Sequence, residues 1–108
     1  MPRDKSFHDY VVHDLLNDTP GINSRAMFGG WGIYKDGKMF GLISESELYL
    51  KVNESNIANF KKVGSRPFEY ARKGKKINLS YWSVSEEILE NRDQFLELTT
   101  GSIEANTN

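Results

Sequence analysis

The chain has 108 residues, the size of one domain, with 38% apolar and 27% charged residues and no cysteine. That composition excludes a collagen-like, low-complexity or wholly disordered chain, a disulfide scaffold, a thiolate metal site and cysteine catalysis. Net charge is −1 but uneven: residues 61–84 hold seven Lys and Arg against Glu69 alone, whereas residues 85–108 hold Arg92 against six acids, so the whole is a poor general binder of nucleic acid and only the basic segment offers a local contact surface.

Residues 4–17 read as a helix, because Phe7, Tyr10, Val11 and Leu15 recur on one amphipathic face. Pro20 and Gly21 stop it. Three strand-like runs follow at about 25–34, 38–44 and 47–52, joined by Asp36-Gly37 and by the weaker turn around Glu45-Ser46. Asp-Gly suits the two positive-φ positions of a type I′ hairpin turn. The result is a three-stranded antiparallel meander. Asn53 opens a short helix to about Val63, with Ile57 and Phe60 inward and Gly64 as the left-handed terminator.

Phe68–Arg72 and Lys76–Val84 then form a hairpin around Lys73-Gly74-Lys75, with Ile77, Leu79 and Tyr81 alternating against Asn78, Ser80 and Trp82. A capping box, Ser83-x-x-Glu86, starts a helix near residue 84, and Asn91-x-x-Gln94 restarts a last one with Phe95, Leu96 and Leu98 inward. The tail, about 103–108, is expected to be disordered. The fold class is α+β: a five-stranded antiparallel sheet, meander plus hairpin, covered by N-terminal, middle and C-terminal helices. No apolar run approaches the ~20 residues of a membrane helix, and the first twenty residues lack a signal-peptide core, so a cytoplasmic protein with no membrane contact is expected.

Few motifs carry chemistry. Gly32-x-x-x-x-Gly37-Lys38 ends in Met39 and enters a strand, so it is a hairpin turn rather than a phosphate loop. His8 and His13 are spaced i, i+5, not the i, i+4 of a helical zinc pair, and are read as solvated helix surface. No acid–base pair, serine elbow or other catalytic set stands out, and no cofactor or metal is called for. Tyr81 and Trp82 point to opposite faces, so one is core and the other, with Trp82 as the candidate, is either a platform or covered by a helix. Arg72, Lys73, Lys75 and Lys76 on the hairpin are candidate binding residues, or they blunt a sheet edge.

The most distinctive run is Arg25-x-Met27-Phe28-Gly29-Gly30, leading into Trp31-Gly32-Ile33-Tyr34. Paired glycines weaken a strand unless a bulge or close backbone approach needs them. Phe28 is expected in the core, and Arg25, Gly29 and Gly30 are candidate binding residues. With Met39-Phe40, Leu48-Tyr49-Leu50-Lys51-Val52 and Ser80-Tyr81-Trp82, this run resembles the N-terminal domain of the TfoX/Sxy competence regulators over roughly residues 6–100.

The resemblance implies helices against a five-stranded antiparallel sheet and a regulator of DNA-uptake competence, a transcriptional coactivator working with the cyclic-AMP receptor protein, rather than an enzyme. Full-length regulators carry a second, C-terminal domain, and the matching residues here cover the first. A protein partner is expected, a homodimer being one arrangement, with direct DNA binding weak or absent. The alternative is a small-molecule-binding protein or small enzyme using a cleft near Arg25 and Gly29-Gly30.

Overall fold

The chain opens with a helix that changes pitch. The computed structural model describes residues 5–27, 29–72 and 74–105, side chains of 70–72 and 75–79 excepted. Helix α1 (Lys5–Asp9) runs directly into a π-helical segment, Tyr10–Leu15. There the Leu16 N–H donates to the Val11 carbonyl at 3.1 Å, the i→i+5 bond that defines the wider turn. The wider pitch corrects the expected apolar face. Val11 and Leu15 are buried as predicted, but Tyr10 turns out to solvent and His8 turns in, 7% exposed.

His8 is therefore core, not solvated surface as the sequence suggested. Its Nε2 lies 2.8 Å from Ser24 Oγ, its Nδ1 lies 2.9 Å from Asp9 Oδ1, and its ring sits 4.5 Å from Trp31. The hydrogen bond from His8 holds the Asp9 carboxyl below the usual carboxylate range.

The sheet has six strands rather than five, all antiparallel, in the order β1-β2-β3-β4-β6-β5. The expected single strand over 25–34 is two: β1 (Ile22–Met27) and β2 (Gly30–Lys35). Met27 pairs with Gly30, and Gly29, at φ 75°, reverses the chain there. Gly30 has a different reason to lack a side chain, since a Cβ at this position would collide with the Ile43 carbonyl of the neighbouring strand. The glycine pair is thus a turn plus a close approach. Phe28 lies outside the described residues.

Strand β3 (Lys38–Ser44) follows through Asp36 and Gly37, at φ 50° and 85°, the predicted type I′ turn. Glu45 and Ser46, at φ 50° and 62°, repeat that geometry without glycine before β4 (Glu47–Lys51). A register shift at Ile33/Tyr34 leaves Phe40 as the extra residue, and it turns into the core.

Helix α2 (Ile57–Lys62) starts a turn later than Asn53. The Asn53 carbonyl accepts from Ile57 N–H, and Asn56 ties the turn down by accepting from Asn53 N–H at 2.7 Å and donating to the Lys51 carbonyl at 2.9 Å. Phe60 is buried and Gly64 has the expected positive φ. Strands β5 (Pro67–Arg72) and β6 (Lys75–Val84) form the predicted hairpin, and β6 joins the meander through β4.

Because β6 continues through Val84, Ser83 cannot cap the next helix. Its Oγ accepts instead from Arg66 N–H at 3.0 Å, and Ser85 caps α3 (Glu86–Glu90) by accepting from Ile88 N–H. Asn91 then caps α4 (Arg92–Ala105) as predicted, its side chain accepting from Gln94 N–H at 3.2 Å. Helix α4 runs through Ala105, into the segment expected to be disordered. The Ala105 carbonyl holds Asn53 Nδ2 at 3.2 Å.

The described helices pack on one face of the sheet. Ile43, Leu48 and Val84 form one row across it, and Ile33, Leu50 and Trp82 the next. These rows meet Val11, Phe60, Ile88, Phe95 and Leu98 from the helices in one core. No described helix is long and apolar enough to cross a membrane.

Candidate functional site

Among the described residues, no helix lies over the opposite face of the sheet. Strand alternation brings Arg25, Gly32, Leu42, Tyr49 and Ser83 into one cross-strand row on that face. Tyr34 and Met39 form a second row, and Lys51 and Tyr81 a third. Leu42 is only 2% exposed although it faces away from the helices and does not join the main core. Its neighbours therefore close over it as a second, smaller apolar layer.

That layer is built from rings and long chains. The Arg25 guanidinium lies 5.6 Å from the Tyr34 ring centroid, and Lys51 Nζ lies 5.2 Å from that of Tyr81. Tyr49 meets Phe68 edge to face at 4.9 Å. Gly32 lies beneath Met27, Met39 and Tyr34, whose nearest atoms would stand 3.1–3.2 Å from a Cβ there. A side chain at Gly32 would thus push against Met27, Met39 and Tyr34, which would have to give way by a few tenths of an ångström even for a methyl group. Tyr81 donates to the Met39 carbonyl at 3.3 Å, and burial pushes its phenol up, with Tyr34 adding to the shift. Tyr49 donates to Glu47 at 2.7 Å, and burial first, then this carboxylate, raises its phenol well above the ordinary tyrosine range. Both phenols stay neutral donors at any physiological pH. Tyr, Met and Arg are the residue types that interfaces favour.

The candidate residues from the sequence divide between the two edges. Arg25 is exposed on β1 at one edge, beside the Gly29-Gly30 turn. Arg72, Lys75 and Lys76 lie on the β5–β6 hairpin at the other edge. Their side chains, and Lys73 as a whole, lie outside the described residues. The sheet therefore separates the arginine–glycine group from the basic hairpin. Trp82 packs against the core on the helix-covered face, so the ring presented to the open face is Tyr81. Tyr34, Met39, Lys51 and Tyr49 lie in the runs that carry the family resemblance but were not named as binding candidates from the sequence. The signal for them is alternation: each stands one residue away from a strongly buried position.

A cleft of about 780 Å³ opens at the end of the sheet where the β3–β4 turn, the start of β5 and α3 meet. Glu45, Glu47, Glu69 and Glu86 line it with Arg66, Tyr49 and Leu89. Arg25, Gly29 and Gly30 are not among its lining residues.

Comparison with known proteins places the sequence in a family. The TfoX N-terminal domain family matches residues 14–106. The DNA transformation protein TfoX1 of Aliivibrio fischeri is 31% identical over 65 residues, covering 60% of this chain and 31% of that protein. Protein Sxy of Escherichia coli K12 is 27% identical over 96 residues, covering 89% of this chain and 46% of that protein. The chain thus spans less than half the length of either relative. A family match from the end of the first helix to the end of the last leaves one assignment: the chain belongs to the TfoX N-terminal domain family.

Proposed function

We propose that this chain is a regulatory domain of DNA-uptake competence that acts through a protein partner, as a coactivator of transcription, and is not an enzyme. The observation that carries the reading is family membership joined to the open face of the sheet, with its half-buried Tyr and Met layer flanked by Arg25 and Lys51. The name of one relative, a DNA transformation protein, supports the competence role. The location proposed is the cytoplasm.

Charge supports a protein partner over DNA. The basic hairpin is a two-stranded ribbon at one edge, able to reach about three or four phosphates, which gives a shallow salt slope near −3. Helices α3 and α4 carry Glu86, Glu87, Glu90, Asp93, Glu97 and Glu104 against Arg92 alone and repel the same backbone. The test is fluorescence anisotropy with duplex and single-stranded DNA at about 150 mM salt. The expected result is no saturable binding below ~1 μM. Tight binding that disappears when Arg72, Lys73, Lys75 and Lys76 become Glu would overturn the reading in favour of direct DNA contact.

A further inference from the structure

Two histidines five residues apart diverge on an α-helix and converge where the turn widens to i→i+5. His8 and His13 straddle the entry to the π-helical segment, and their rings lie 5.9 Å apart, edge to face. Asp9 stands between them. Its Oδ1 is 2.9 Å from His8 Nδ1 and 3.7 Å from His13 Nε2. All three ligand atoms fall within 4.8 Å of one another.

We propose that His8 Nδ1, the Asp9 carboxylate and His13 Nε2 bind a divalent cation of the zinc class. Bonds of about 2.0–2.1 Å to zinc place neighbouring tetrahedral ligands about 3.4 Å apart, close to the two observed spacings. The His13 side chain is 66% exposed, so its rotation closes the remaining gap at little cost. His8 is the fixed member, clamped by Trp31 and bonded through Nε2 to Ser24 Oγ at 2.8 Å. In the metal-free chain Nδ1–H donates to Asp9; on binding, the ion displaces that proton, and the tautomer with Nε2–H donating to Ser24 Oγ turns the Nδ1 lone pair to the metal. A second hydrogen bond that fixes the ring and tautomer is the support metal-binding histidines use.

Asp9 and His13 approach from solvent, which gives the ion an entry path and leaves the fourth position to water. Two imidazoles with one carboxylate select Zn²⁺, Co²⁺, Ni²⁺ or Cu²⁺ over Mg²⁺ and Ca²⁺, which prefer oxygen throughout. All three ligands precede residue 14, where the family match begins, so family membership does not supply the site. Bound metal would pin the first helix to β1 through His8 and Ser24.

The test uses the tag-free full chain, stripped with a chelator and titrated with zinc chloride in a calorimeter, with Co²⁺ as a spectroscopic probe. One equivalent binds, the cobalt form shows tetrahedral d–d bands, and melting temperature rises with zinc but not with magnesium. His13→Ala, at an exposed position, keeps the metal-free melting temperature, and Asp9→Asn, half-buried, keeps an amide oxygen to accept from His8 in the metal-free chain. Each weakens zinc binding by at least ~10-fold and removes the cobalt bands. Zinc that fails to saturate by ~100 μM, or that binds either variant as tightly as the native chain, overturns the proposal.

Discussion

Gly30 and Gly37 are both glycine for reasons the backbone imposes, yet the reasons differ and separate by experiment. At Gly37 a Cβ would meet nothing within 4 Å, and only φ 85° opposes a side chain. Gly37→Val therefore costs ~1–3 kcal/mol, the strain of a β-branched residue in the left-handed region. At Gly30 the obstacle is the Ile43 carbonyl, so Gly30→Ala forces β2 and β3 apart. We expect Gly30→Ala to cost at least as much as Gly37→Val, ~3 kcal/mol or more, although it adds only a methyl group. Denaturant melts of the two variants check the ordering. Gly30→Ala with native stability would contradict the close approach. Asp36-Gly37 was legible because turn chemistry is local. The clash at Gly30 was not, because it depends on how closely the paired strand β3 approaches at Ile43.

At the scale of the element, the sequence signals worked where one period held and failed where it changed. Helix α2, the β5–β6 hairpin and the restart at Asn91 follow from caps, alternation and Gly64. The first helix did not, since a 3.6-residue period sets Tyr10 inward, and the π-helical turn sets His8 there instead. The same misreading hid the His8–His13 pair, whose i, i+5 spacing counts against a metal site only on an α-helix. The glycine pair Gly29-Gly30 concealed a strand boundary, because a turn of that length looks like a bulge in a continuous run. The capping box at Ser83-x-x-Glu86 also placed the cap of α3 two residues early, because Ser83 is held in β6 and Ser85 caps instead. The Ser85 cap bond is long, 3.4 Å, so Ser85→Ala should cost about 0.5–1 kcal/mol, at the low end of caps. Ser83→Ala should not shorten the helix, and thermal melts with far-ultraviolet dichroism of both variants test the assignment. A loss of helix signal in Ser83→Ala alone would restore the sequence-based cap.

The whole molecule is a two-layer structure with one protected face and one presented face. Helices spend the acidic charge of the C-terminal third over one side of the sheet, and the other side is left with Arg25 and Lys51 over tyrosine rings. Fold class was legible from the order of helix, meander, helix, hairpin and helices, since those units pack in few ways. The presented face was not, because it appears only when strand register fixes which alternate residues lie together. Its composition, half-buried aromatics with cations stacked on them, is the ground on which a protein partner is proposed. The most direct measurement is photo-crosslinking in living cells, with a photoreactive phenylalanine analogue at Arg25 or Tyr34 and a control at Glu97 on the exposed side of α4. The account predicts a discrete protein adduct from Arg25 and Tyr34 that Glu97 does not give. Adducts to nucleic acid from the open face, or a protein adduct from Glu97 alone, would contradict it.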